Sequence, residues 1–238
     1  MPVPELPGEY TLDVELRLAS STRWAEAGHI VARGQRVLEV AGRPHVESRP
    51  RPEVVEGTHN VGVRGEGFSV LFSRLHGGLQ SYRWGGGAEG GRELLDSMPM
   101  PSFWHAPTSN ERGWGGPFED GQWLLASRYA RAAGGALRTA RASSDDSAVT
   151  VGFTYELPTT PRTTCDVDYR VTGDGRIEVT VAMDVPDGLP DLPEFGMQWT
   201  IGADAHRLRW YGDGPDECYS DRRLAPGWTS GRATWRGS

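Results

Sequence analysis

Side chains able to do chemistry are densest between Met98 and Trp114, where the chain reads MPMPSFWHAPTSNERGW. Phe103, Trp104 and His105 are followed closely by Asn110, Glu111 and Arg112. Aromatic rings can stack on the apolar faces of sugar rings, and amide, carboxylate and guanidinium groups hydrogen-bond hydroxyls. One reading is a carbohydrate-facing loop whose substrate-binding residues are Trp104, His105, Asn110, Glu111 and Arg112. The other is a structural loop, with Phe103 and Trp104 in a core and Asn110 and Arg112 tied to backbone carbonyls. The segment itself fits both.

Carboxylates that could serve a glycosidase are Glu111, Glu194 and Glu217. Retaining enzymes need two carboxyl groups about 5–5.5 Å apart and inverting ones about 6.5–9.5 Å. Sequence supplies no such separation, so no catalytic residue is assigned. Glu217, Asp221 and Arg222 read as an ion-paired corner that holds a loop. None of the histidines is spaced as a metal-binding pair, so no metal ligand is assigned either. Gly85–Gly91 is rich in glycine but lacks the Gly-Lys-Ser/Thr that a phosphate-cradling loop requires.

The elements that must position these residues read as strands. From Tyr10 to Leu18, apolar Tyr10, Leu12, Val14, Leu16 and Leu18 alternate with polar residues, the period of a half-buried strand. Two further short strands are expected, one near Ile30 and one over Val37–Val40. Residues 42–58 carry Pro44, Pro50 and Pro52 and few apolar side chains, as an extended linker would. Phe68–Phe72 and Leu79–Trp84 flank Gly77-Gly78 as a hairpin. Residues 123–133 fit a helix or a strand entry. Strands are expected over Val149–Leu157, Cys165–Val171, Arg176–Val185, Gly196–Ile201 and Arg207–Tyr211, whereas the pattern fades after Leu224. Many short strands without amphipathic helices between them predict an all-β protein and exclude a barrel of strand–helix units.

Composition narrows the function. The chain has 238 residues and a net charge of -7, and all of its basic residues are arginine. Those arginines are scattered among acids, not gathered on a face, which argues against nucleic acid as a partner. Cys165 and Cys218 make neither a disulfide framework nor a zinc site. The N-terminal residues lack a basic segment followed by an apolar run, and no stretch approaches a membrane span, so a cytoplasmic protein without a membrane partner is expected.

Five stretches, in order, resemble the small chain of lac-operon-type bacterial β-galactosidases, of glycoside hydrolase family 2. WAEAGHIVA (24–32) resembles a strand of the preceding immunoglobulin-like domain. FSVLFSRLHGGLQSYRW (68–84) resembles the opening hairpin of the small chain. SFWHAPTSNERG (102–113), LPEFGMQW (192–199) and WYGDGPDECYSDR (210–222) resemble its later signatures. His105 stands where arginine is common, Ser109-Asn110-Glu111 replaces an aspartate-rich run, and Cys218 replaces Asn or Ser.

The resemblance implies that residues 1–45 end an immunoglobulin-like β-sandwich, that 46–57 link, and that 58–238 form a galactose-mutarotase-like β-supersandwich, incomplete at its C-terminal side. It implies a part in hydrolysing terminal β-D-galactosides such as lactose. The chain would support the sugar pocket and assembly, while the catalytic glutamates lie on a barrel outside it. The partners implied are a β-galactosidase large chain or catalytic barrel, the galactoside substrate and, in the whole enzyme, further subunits. No cofactor is expected in this chain; the Mg and Na ions of the whole enzyme would be held elsewhere. Two other classes compete: a stand-alone carbohydrate-binding module using Phe103, Trp104 and His105, and a mutarotase-like epimerase pairing His105 with Glu194 or Glu217.

Overall fold

The computed structural model describes residues 6–40, 49–86, 91–134, 141–144, 147–214 and 227–234. It is an all-β protein built from antiparallel sheets, with three short helices among the described residues. Contacts divide it into two compact units, Met1–Glu47 with Ala203–Ser238, and Ser48–Gly202.

In the first unit, β1 (Gly8–Arg17) pairs with β2 (Ile30–Val40) from Gly8↔Val40 to Leu16↔Ala32. The two short strands expected over 30–40 are one strand. Gly34 and Gln35, which look like a turn, lie opposite Val14 and Asp13, and Gln35 Nε2 donates to Asp13 Oδ1 at 2.6 Å. The apolar face of β1 is only partly covered, for Val14 is 56% and Leu16 61% exposed.

The second unit begins with a five-stranded sheet in the order β3 (Glu53–Glu56), β4 (Asn60–Gly65), β5 (Phe68–Ser73), β6 (Gly78–Trp84), β7 (Arg92–Glu93). Residues 53–56, expected within the linker, are therefore a strand paired to β4. The β5–β6 hairpin turns at Gly77, whose φ of 74° is left-handed backbone that glycine adopts without a Cβ penalty. Strand β8 (Leu95–Ser102) leads to the helices α1 (Ser109–Trp114), α2 (Gly116–Glu119) and α3 (Gly121–Tyr129). Tyr129 thus ends a helix that the local pattern left undecided.

A second sheet follows: β9 (Arg131–Ala132), β10 (Arg141–Ser144), β11 (Ala148–Leu157), β12 (Thr163–Thr172) and β13 (Ile177–Met183), with β11 central and paired to β9, β10 and β12. Register aligns the inward residues of three strands, as in Phe153↔Val167↔Val181 and Val151↔Tyr169↔Val179. Strand β14 (Gly196–Ile201) returns to pair with β8. Beyond it, in the first unit, β15 (Arg207–Gly214) pairs with β16 (Gly227–Thr234), a strand that the weak pattern after Leu224 did not announce.

The core of the second unit lies between its two five-stranded sheets. Val61, Val63, Val70, Phe72 and Leu79 from one sheet and Val149, Val151, Phe153, Val167 and Tyr169 from the other are all buried. Phe72 meets Phe153 with ring centroids 6.5 Å apart and Tyr169 at 5.4 Å. Each such aliphatic or aromatic side chain contributes about 1.5–3 kcal/mol by leaving water. Period-two alternation makes one face of each sheet apolar, and burying both faces at once requires a sandwich. Among the described residues, no helix is long and apolar enough to cross a membrane.

Candidate functional site

The segment from Phe103 to Asp120 leaves β8 and folds into α1 and α2. Thr108 caps α1: the Glu111 N–H donates to Thr108 Oγ1 at 3.3 Å, and the Thr108 N–H donates to Glu111 Oε2 at 2.6 Å. This reciprocal pair satisfies two backbone donors that a helix start would leave orphaned. Gly115, at φ 90°, ends α1 and turns the chain into α2.

Glu111 also faces His105, whose Nε2 lies 3.2 Å from Oε1. Both carboxylate oxygens are thus engaged within the chain. The Thr108 N–H holds the Glu111 carboxyl below its ordinary range; partial burial works the other way, and the Thr108 hydroxyl and His105 add to the lowering. His105 Nδ1 lies 3.0 Å from the Ala106 carbonyl oxygen, which fixes the ring from its other side.

Phe103 is core: it is fully buried, packs on Trp123 at 5.8 Å and Phe195 at 6.2 Å, and its N–H donates to Ser127 Oγ at 2.8 Å. Trp104 is only half-buried, packed against the same core. Asn110 and Arg112 are exposed, and their side chains have no hydrogen-bond or ion-pair partner among the described residues. They do not tie down the loop, and their amide and guanidinium groups remain available to a ligand.

Trp104, His105, Pro107, Glu111, Gly116, Pro117, Asp120 and Pro193 line a crevice of about 10 Å³, room for one water-sized group. Asp120 is the residue that the sequence did not suggest. It is 9% exposed, its carboxylate accepts no hydrogen bond from a described residue, and it makes no cap to α3. Burial pushes its carboxyl up from the ordinary range, and Asp191, Glu119 and Glu111 push it further. The Thr108-x-x-Glu111 spacing was a helix-start signal in the sequence; the convergence of Asp120 and Pro193 had none.

Glu194 is exposed in the turn before β14, and Glu217, Cys218, Asp221 and Arg222 lie outside the described residues. Among the described residues, no group of three or more His, Cys, Asp and Glu is placed to hold a metal ion. A larger open groove of about 800 Å³ runs along the end of the second sheet, between Tyr129, Arg131, Glu156, Arg162, Asp166 and Asp184. Its lining comes from α3, β9, β11, β12 and β13 and the loops beside them, and no contiguous motif marks it.

Antiparallel sheets around one apolar layer, with an aromatic and carboxylate crevice beside them, define an all-β sandwich protein. Within that class, residues 64–228 match the family model described as beta galactosidase small chain, and residues 1–39 match beta-galactosidase domain 4. The chain belongs to the β-galactosidase small-chain family.

It is 36% identical over 217 residues to a β-galactosidase of Clostridium acetobutylicum, covering 91% of this chain and 23% of that one. It is 36% identical over 214 residues to a β-galactosidase of Streptococcus thermophilus, covering 90% and 20%. A β-galactosidase small subunit of Latilactobacillus sakei is 35% identical over 187 residues, covering 72% of this chain and 57% of that subunit. The chain therefore spans about a fifth to a quarter of the length of the first two relatives.

Proposed function

We propose that this chain is the small-chain portion of a β-galactosidase of glycoside hydrolase family 2, hydrolysing terminal β-D-galactosides such as lactose in the cytoplasm. In this reading it completes the sugar pocket and the assembly, while the acid/base and nucleophilic glutamates sit on a catalytic barrel supplied by another portion of the enzyme. The Mg and Na ions would be held there too. The observation that carries the reading is the ordered pair of family matches, domain 4 and then small chain, across residues 1–39 and 64–228. That one relative is a separate small subunit supports a division of labour between chains.

Within the site, Trp104 is the stacking face and Asn110 and Arg112 are the free hydrogen-bonding groups. His105 and Glu111 act mainly on each other, Glu111 through the cap and His105 through its ring contact, so their part is to hold the loop against the sugar. The test is hydrolysis of a chromogenic β-galactoside by the purified chain, alone and mixed with the catalytic portion of the same enzyme. Activity in the mixture alone is the expected result. Activity of the chain by itself would overturn the reading, and inactivity in both, together with galactose binding in a titration, would favour a stand-alone binding module.

A further inference from the structure

We infer that the open groove along the end of the second sheet binds a β-galactoside of two or more sugar units, stacked on Tyr129 and hydrogen-bonded by Arg131, Glu156, Arg162 and Asp184. The saccharide class follows from the groove itself; the choice of a galactoside rests on the proposed function. This groove shares no lining residue with the crevice beside Trp104.

Strand register builds its floor. Arg131 on β9 lies opposite Glu156 on β11, and Glu156 lies opposite Thr164 on β12. Asp184 follows the last residue of β13, and its carbonyl oxygen accepts from Thr163 Oγ1 at 2.9 Å. Glu156, Thr164 and Asp166 face away from the core, because their chain neighbours Tyr155, Cys165 and Val167 are buried. Adjacent strands lie about 4.8 Å apart, so a row across four strands is about 14 Å long, more than one sugar ring.

The polar groups of this row are unspent. The side chains of Arg131, Glu156, Arg162 and Asp184 have no hydrogen-bond or ion-pair partner among the described residues. That holds although Arg131 and Glu156 are cross-strand neighbours of opposite charge, a placement that favours pairing. The wall that carries Arg162 is fixed in advance. The Thr160 N–H donates to Gln122 Oε1 on α3 at 2.7 Å, and the buried Thr159 donates its hydroxyl proton to the Pro161 carbonyl oxygen at 2.9 Å. Asp166, half-buried in the floor, accepts from the Thr154 hydroxyl. A wall held this way loses little freedom when a ligand arrives.

The mixture of groups selects the ligand. Three carboxylates, on Glu156, Asp166 and Asp184, repel a phosphate or other anion, and two guanidiniums repel a cation. A wholly apolar ligand would strip water from these charges without replacing it. Sugar hydroxyls donate to carboxylates and accept from guanidiniums, while the C–H face of the ring needs an apolar surface. Tyr129, at the end of α3, is 58% exposed, and Pro158, Val185 and Pro186 line the same groove. Its volume of about 800 Å³ falls within the range of small-molecule sites, about 300–1,000 Å³.

The test is a calorimetric titration of the full 238-residue chain with thio-linked β-1,4-galactobiose, which resists hydrolysis. Wild type should bind saturably. Tyr129→Ala and Arg162→Ala should each bind at least about tenfold more weakly at an unchanged melting temperature, whereas Trp104→Ala should keep the wild-type affinity. Absence of binding by wild type, equal affinity in the Tyr129 and Arg162 variants, or loss in Trp104→Ala alone would overturn the groove as a sugar site. Tighter binding of galactose 6-phosphate than of galactobiose, lost in Arg162→Ala, would overturn the neutral class of ligand. These results are read separately from hydrolysis by the reconstituted mixture, so an inactive mixture would count against the proposed function and leave the groove standing on its titration.

Discussion

The Tyr155 hydroxyl, carried by the central strand of the second sheet, donates to the carbonyl oxygen of Gly77 in the β5–β6 turn at 2.8 Å. One hydrogen bond thus fixes the hairpin of one sheet to the core of the other. Both groups are buried, so Tyr155→Phe leaves a carbonyl without its donor and should cost about 1–3 kcal/mol. A Cβ at Gly78 would come within 2.8 Å of Met98 Sδ and 2.9 Å of the Tyr155 oxygen. Gly78→Ala should therefore destabilise through the same contact by about 1–3 kcal/mol. Urea denaturation of both variants checks this, and near-additive losses in the double variant would argue against a shared contact.

Tyr169 is the opposite case. Its hydroxyl is buried without a hydrogen-bond partner, and burial drives the phenol far above its ordinary range. Removing an unsatisfied buried group relieves its desolvation, so Tyr169→Phe should leave stability unchanged or raise it by about 1 kcal/mol. A fall of similar size, measured in the same urea series, would show that the hydroxyl is satisfied after all.

Cys165 sits at 0% exposure on β12, and burial, aided by Asp166, raises its thiol to about 11. The thiolate is the reactive form, so a Cys218→Ser variant should react with a thiol reagent such as DTNB only at the rate of global unfolding. Fast labelling in native buffer would contradict the buried placement.

Glu93 gives the fold an acid limit. Partial burial raises its carboxyl, but donation from Ser81, from the Tyr82 N–H at 2.9 Å and from the Leu95 N–H at 3.1 Å outweighs this and holds it below the ordinary range. A depressed carboxylate contributes stability that is complete above its unfolded pKa of about 4.3 and is lost as pH falls through the folded value. Melting temperature should therefore fall below about pH 4.5 more steeply in wild type than in Glu93→Gln. Parallel pH curves for the two would refute the assignment.

Trp104→Ala separates the two roles open to that ring. Half-buried against the core, it should cost at most about 2 kcal/mol of stability. If it stacks on sugar, galactoside hydrolysis by the reconstituted mixture should fall by more than tenfold, roughly the 1.4 kcal/mol of one decade. A melt and a rate measured on the same preparation distinguish them; a stability loss with unchanged rate would make Trp104 purely structural.

The alternation of β11 and β12 was legible because each strand puts Val149, Val151, Phe153, Tyr155 and Cys165, Val167, Tyr169, Val171 on one side of its own backbone. The turn at Gly77 was legible for a similar local reason. Strand β16 was not: its residues carry no strong period, and it exists by pairing with β15, a partner earlier in the chain. In α1, the segment read as a loop carried its helix signal in Thr108 and Glu111.

What the sequence by itself determined was the all-β class, the inward residues of the main strands and the family, since these rest on side-chain period and on the order of motifs along the chain. It also named Trp104, His105, Asn110, Glu111 and Arg112, but not their division into engaged and free groups. Only the tertiary structure decided that Glu111 uses both oxygens within the chain, that Asn110 and Arg112 stay free, and that Asp120 and Pro193 close a crevice beside Trp104. Residues 120 and 193 are far apart in sequence, and what joins them is the return of the chain through α3 and the second sheet. Such proximity follows from packing two apolar faces together and leaves no trace in either local sequence.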